Sequence, residues 1–191
     1  MSDAPCLDRS LEAAEEVLDV VRQHGADAIL IGALALAVHG FPRDTTDLDL
    51  AVAVHPDVLR RIAADLAARG YLVAFREPAA DDPLGGVVDV RTRRGDLVQL
   101  VNFLNPPSRG FPVLVRDAIE TATALRPDGL LRVVDLEHLI VFKLYAGGPK
   151  SALDILALIQ ANPGLDLDRL MAICRGYRLD RALDRVLRLD V

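Results

Sequence analysis

Two aspartates separated by one leucine, Asp47 and Asp49, lead into the apolar run Leu50-Ala-Val-Ala-Val54. That composition suits a β-strand, in which successive side chains alternate between faces. Asp47 and Asp49 then point the same way, with Cα atoms roughly 6–7 Å apart, while Leu48 and Leu50 turn into a core. Two carboxylates converging from one rigid strand make a hard-oxygen site suited to Mg²⁺, which takes carboxylates together with substrate phosphates. The matching chemistry is metal-assisted phosphoryl or nucleotidyl transfer.

An isolated Asp-x-Asp is more often two solvated charges at a strand end, so the surroundings decide. The strand-like run Ile29-Leu-Ile31 feeds into Gly32, a helical stretch follows, and the turn Arg43-Asp44-Thr45-Thr46 delivers the chain to the acidic pair. A glycine at a strand-to-helix junction lets the backbone approach a phosphate, and a helix N-terminus favours that anion. A phosphate seat and a metal seat would lie side by side. Arg43 reads equally as a solvated loop charge or as a guanidinium placed to grip triphosphate oxygens. His39 reads as a packed histidine with no part in the chemistry.

Taken together, Gly32-Ala33, His39-Gly40, Arg43, Thr45 and Asp47-Leu48-Asp49 resemble the signature of the nucleotidyltransferase superfamily, the DNA polymerase β-like group. His-Gly and Arg-x-Thr ahead of the acidic pair resemble the branch that includes the AbiEii-type toxins, whose relatives include small-molecule, antibiotic-modifying nucleotidyltransferases. The resemblance implies an α/β (α+β) core, a small mixed sheet flanked by helices. It implies Mg²⁺ or Mn²⁺ as cofactor and a nucleoside triphosphate such as ATP as substrate. The acceptor would be a tRNA, a protein or a small molecule, and a toxin-like member would have an antitoxin partner.

The same resemblance assigns residues. Asp47 and Asp49 would be catalytic metal ligands, with Gly32, Ala33, Arg43 and Thr46 about the nucleotide. Lys143-Leu-Tyr-Ala-Gly-Gly-Pro-Lys-Ser-Ala-Leu-Asp154 is similar to a second family motif: a lysine ending one helix, a Gly-rich turn with a basic residue, then an aspartate early in the next helix. It adds Lys143, Lys150 and Asp154 to the nucleotide site. Lys143 lies among Ile140, Val141, Phe142 and Leu144, where an unpartnered ammonium is costly to bury. It either snorkels to water or reaches phosphates or Asp154. Relatives usually carry a third metal-binding carboxylate on a neighbouring strand, about where this chain has Gln99. Asp89, flanked by Val88 and Val90, is the substitute third acid, and an edge-strand charge paired with Arg91 or Arg94 is its alternative. Without a third acid the chain would be a degenerate nucleotide- or partner-binding protein.

The elements that must position these groups follow from periodicity. Leu7, Leu11, Ala14, Leu18 and Val21 recur at helical spacing, and Gly25 ends that helix. Asp27–Ile31 is a first strand and Ala33–His39 a short buried helix. Pro56–Arg69 is a helix with Pro56 early and Gly70 past its end. Tyr71–Phe75 reads as a second-layer strand. Gly86–Thr92 and Asp96–Phe103 form a hairpin across Arg93-Arg94-Gly95. Val113–Ala124 reads as a helix and Leu131–Val134 as a short strand. Asp135 is placed to cap a helix to Tyr145, and Asp166 or Asp168 starts another. The reading divides residues 1–125, the core, from 126–191, a mostly helical part that packs with it.

The 191 residues are 51% hydrophobic and 26% charged, ordinary for a globular domain. The longest apolar run, Ala28–Val38, is too short to span a membrane. The acidic N-terminus shows no leader pattern, and Cys6 and Cys174 give no disulfide framework. These features lead to the expectation of a cytoplasmic protein. A net charge of −6 sets the whole-molecule field against long nucleic-acid partners. It leaves open a tRNA end or a nucleotide held by a local basic patch.

Overall fold

Alternating burial in three strands builds the floor of the site. In β2 (Asp47–Val52) Leu48 and Leu50 are buried, and in β4 (Val87–Arg91) Val88 and Val90 are. β5 (Leu97–Asn102) buries Val98, Leu100 and Asn102. On the opposite face Asp47, Asp49, Asp89 and Gln99 are half-buried. The computed structural model describes residues 4–43, 45, 47–78, 84–93, 95–105 and 111–190. Thr46 and Arg94 lie outside the described residues.

With β1 (Ile29–Ile31), β3 (Leu72–Arg76), β6 (Thr123–Ala124) and β7 (Arg132–Val133), these strands form one seven-stranded mixed sheet. Its order is β3-β4-β5-β2-β1-β7-β6. β2 runs parallel to β5 and antiparallel to β1, and β3, β4 and β5 form an antiparallel meander. α1 (Ala4–Gln23) lies against β2 and β5, and α3 (Pro56–Ala68) against β3 and β4. Leu18 and Val21 of α1 and Leu59, Ile62 and Leu66 of α3 join Leu48, Leu50, Val98 and Leu100 in one buried cluster. Burying each such side chain contributes roughly 1.5–3 kcal/mol.

α2 (Gly32–Val38) follows β1 directly. α4 (Phe111–Thr121) precedes β6, and α5 (Leu136–Ala146), α6 (Gly148–Ala161), α7 (Leu167–Gly176) and α8 (Asp180–Leu187) complete the chain with a short 3₁₀ turn. Asp135 caps α5 by accepting from the His138 N–H at 2.8 Å, and Asp166 caps α7 by accepting from the Arg169 N–H at 2.9 Å. α5 buries Leu139, Ile140, Val141, Phe142 and Leu144, as a helix apolar all round must. Gly147 and Gly148, at φ of +66° and +80°, turn the chain so that α6 packs back along α5. Left-handed backbone is open to glycine at no steric cost.

Two local expectations are corrected. The helix expected to run to Ala124 stops at Thr121, because Thr123 and Ala124 pair with Val133 and Arg132; strand pairing outweighs a continuing apolar pattern. The strand expected in a second layer is β3, an edge of the same sheet paired with β4. Among the described residues no helix is long and apolar enough to cross a membrane.

Candidate active site

The antiparallel register of β1 and β2 sets Ile31 opposite Asp49, so the next residue, Gly32, sits beside the Asp49 side chain. Gly32 has φ +70°, and a Cβ built on it would lie 1.9 Å from Asp49 Oδ2. A glycine is required there on both counts, backbone conformation and close approach. The second acid is held by its own turn: Thr45 Oγ1 accepts from the Asp47 N–H at 3.2 Å. Burial pushes the Asp49 carboxyl up to about 6, the Asp47 charge adds to the shift, and the Lys143 ammonium opposes it.

Lys143 and Arg43 meet at Asp154. Lys143 Nζ donates to Asp154 Oδ2 at 2.8 Å, and Arg43 Nη1 donates to both Asp154 oxygens at 2.8 and 2.9 Å. Asp154 is only 4% exposed, and a carboxylate this buried needs such partners. Lys143 therefore pairs with Asp154 rather than snorkelling alone. Three segments, the loop after α2, α5 and α6, thus fix two cations beside the acid pair. Ala33 follows Gly32 in α2, while Lys150 is exposed in the first turn of α6. His39 Nε2 lies 2.7 Å from Val134 O, a packing contact.

Across the sheet Asp49 pairs with Gln99 of β5, which pairs with Asp89 of β4. The three side chains form a row, with Asp89 two strands from Asp49. Asp89 Oδ1 accepts from Gln99 Nε2 at 2.7 Å and from Arg76 Nη2 at 3.0 Å. Its ion-pair partner is Arg76 on β3; Arg91 donates instead to Gly95 O at 3.0 Å. A cleft of about 410 Å³, lined by His24, Asp27, Val54, His55 and Arg116 among others, opens where β1 begins and β2 ends. That is the end of the sheet away from the acid pair.

The donor set of the acid pair suits a divalent cation. Asp47 and Asp49 share a face, and burial first and the Asp47 charge second raise the Asp49 carboxyl, against the pull of Lys143. Among the described residues no three His, Cys, Asp or Glu side chains converge as a metal site. A two-carboxylate seat completed by substrate phosphates is the form Mg²⁺ accepts.

No family model matches the chain, and no curated protein matches it. Solved structures do. A crystal structure of ANT(2″)-Ia in complex with adenylyl-2″-tobramycin superposes with a TM-score of 0.51 at 14% identity, over 88% of this chain and 96% of that one. An antigenic nucleotidyltransferase-like protein from Paracoccidioides brasiliensis gives a TM-score of 0.52 at 18% identity, over 82% of this chain and 76% of that one. The chain has the nucleotidyltransferase fold. Within the nucleotidyltransferase frame the acid pair lies on a central strand of the sheet, with Gly32 at its neighbour's end. A solution structure of the antibiotic-resistance factor ANT(2″)-Ia extends the match to 96% of each chain, at a TM-score of 0.51 and 13% identity. The match thus takes in the helical C-terminal part that carries Lys143 and Asp154.

Proposed function

We propose that the protein transfers a nucleoside monophosphate from a nucleoside triphosphate to an acceptor hydroxyl. The observation that supports this best is the Asp47–Asp49 pair on one strand face, Asp49 packed on Gly32, with Lys143 and Arg43 held by Asp154. The acceptor oxygen forms a bond to the α-phosphorus, the bond from that phosphorus to the bridging oxygen breaks, and pyrophosphate leaves. The acceptor's proton is released to water on the open face. A Mg²⁺ or Mn²⁺ ion held by Asp47 and Asp49 would neutralise charge on the reacting phosphates. Asp49 and Asp47 would hold it from one strand, β2. Arg43 and Lys143 supply positive charge toward the triphosphate, and Asp154 orients both. Gly32 and Ala33 would present backbone, with Thr46, which precedes Asp47 in the sequence, and the exposed Lys150 as further nucleotide contacts.

The acceptor is a small molecule in the reading the fold neighbours support, one of them being in complex with adenylyl-2″-tobramycin. The net charge of −6 agrees, since it favours a cationic acceptor over a polyanion. The AbiEii-like order of His39-Gly40, Arg43, Thr45 and the acid pair supports a second, toxin-like reading, with a tRNA or protein acceptor and a cognate antitoxin. Purified protein with Mg²⁺ and each α-labelled NTP is offered a small-molecule pool, total RNA and total protein in turn, with Asp49→Asn alongside. Label in the small-molecule pool, lost in the variant, is the expected result; label in RNA or protein selects the second reading. Nucleotide binding with no label in any pool would sink transfer as the activity.

A further inference from the structure

Gln99 is the residue in this row that the acid-pair chemistry leaves unused. Its partner fixes its orientation. A carboxylate only accepts hydrogen bonds, so the amide must turn its NH₂ toward Asp89, and Nε2 lies 2.7 Å from Asp89 Oδ1. Oε1 is then turned away from β4. β5 lies between β4 and β2, and Gln99 pairs directly with Asp49 in the parallel register. The side away from Asp89 is therefore the side of Asp49. The register therefore sets an amide, a neutral oxygen donor, on the strand beside the Asp49 carboxylate, where a cation held by the acid pair would meet it.

The Asp89–Arg76 pair behind Gln99 does little for stability. Its side chains are 28% and 58% exposed, and exposed ion pairs contribute about 0–1 kcal/mol. What it does is hold the Asp89 carboxylate in place beside Gln99, as an acceptor that admits one orientation of the amide. Partners of this kind behind a ligating group commonly change metal affinity by about 10–100-fold.

We propose that Gln99 is a neutral oxygen ligand for the divalent cation of the acid pair, and that Asp89, backed by Arg76, is the positioning residue that holds its amide in the ligating orientation. This rests on the reading of Asp47 and Asp49 as metal ligands. Asp89 then acts through Gln99 and does not itself touch the cation. The resulting seat has two charged ligands and one neutral one, and so binds a divalent cation more weakly in the absence of nucleotide than three carboxylates would.

The test is a double-mutant cycle read by metal binding, not turnover. Mn²⁺ is titrated into the protein with a non-hydrolysable ATP analogue, and the free-ion electron paramagnetic resonance signal is followed. Wild type is compared with Asp49→Asn, Gln99→Leu, Asp89→Asn and the Asp89→Asn/Gln99→Leu pair. Gln99→Met, close in shape, repeats the cycle on a side chain that fills the same space, and thermal denaturation checks each fold. Gln99→Leu or Gln99→Met should weaken Mn²⁺ about 10–100-fold. Asp89→Asn should weaken it about tenfold in wild type and less than twofold once Gln99 is gone, since the two act as one unit. Wild-type affinity in both Gln99 variants overturns the proposal. So does an Asp89→Asn loss that persists without Gln99, which would make Asp89 a ligand in its own right. Undiminished Mn²⁺ binding in Asp49→Asn refutes the metal-seat reading instead, and is told apart by that variant alone.

Discussion

Replacing Asp49 by asparagine should stabilise the metal-free protein at neutral pH while removing nucleotidyl transfer. The Asp49 carboxyl is pushed from 3.8 up to about 6, mainly by burial. At about 1.4 kcal/mol per pKa unit, its ionised form is disfavoured in the fold by about 3 kcal/mol. The folded chain keeps a proton between pH 4 and 6 that the unfolded chain has released, so stability falls as pH rises through that window and levels off above it. Asparagine has the same shape and no ionisation, and it fits against Gly32 as the aspartate does. Asp135, held down at about 2 by its bonds to His138 and Thr121, acts in the opposite sense. The stability it supplies is present above pH 4 and lost as pH falls toward 2, and it cancels between the two proteins. Urea denaturation in EDTA at pH 4, 5, 6 and 7.5 should therefore show the variant and wild type converging at pH 4. At pH 7.5 the variant should be ahead by about 3 kcal/mol, a Tm gain of about 6–12 °C for a chain of this size. Mg²⁺ with nucleotide should close the gap by stabilising wild type alone. A variant less stable than wild type at pH 7.5, or a difference that does not change with pH, would refute the idea that Asp49 is a crowded, buried charge awaiting a cation.

Gly32→Ala must place a Cβ 1.9 Å from Asp49 Oδ2 at φ +70°; left-handed backbone alone costs about 1–2 kcal/mol. Denaturation should show at least that loss, and label transfer should fail because the acid is displaced. Asp154→Ala leaves Lys143 and Arg43 without their shared partner. With side chains 17% and 27% exposed, these cations are partly solvated, so the loss should be about 2–3 kcal/mol, below the range for fully buried pairs. The KM for nucleotide should rise with it, and a KM at the wild-type value would detach this trio from the nucleotide. Asn102 is fully buried and bonds Val54 N and O, Gly85 O and Leu104 N at 2.9–3.2 Å. Asn102→Ala strands those backbone groups at about 1–3 kcal/mol each. It should lower Tm by more than any other substitution here, leaving kcat of the folded fraction unchanged.

Period-2 logic was enough to place Asp47 and Asp49 on one face, because a strand's own geometry decides it. The cost of burying an ammonium left Lys143 either snorkelling or partnered, and the glycine turn that folds one helix onto the next brings it to Asp154, eleven positions on. Arg43 offered no such clue: its partner lies 111 residues away, and only the assembled sheet and helices join them. Asp89 shows how local reasoning misleads. Arg91 lies on its own strand and was the near partner by sequence, yet cross-strand diagonal neighbours meet readily, and Arg76 on β3 takes the carboxylate. Asn102 is one more buried polar residue whose use depends on which loops converge at the strand end.

The place of Gln99 depends on both kinds of information. Its pairing with Asp89 follows from the antiparallel β4–β5 hairpin, so it is local. Its pairing with Asp49 comes from two parallel strands, β2 and β5, whose register no turn sets. Without the second pairing a glutamine at this position reads as a lost acid. With it, the amide becomes the middle of a row running from a half-buried carboxylate to an exposed ion pair. What distinguishes loss from replacement is therefore which neighbour the amide faces with its oxygen. The Asp89 carboxylate takes the NH₂, and the Mn²⁺ cycle decides whether the oxygen left over meets a cation.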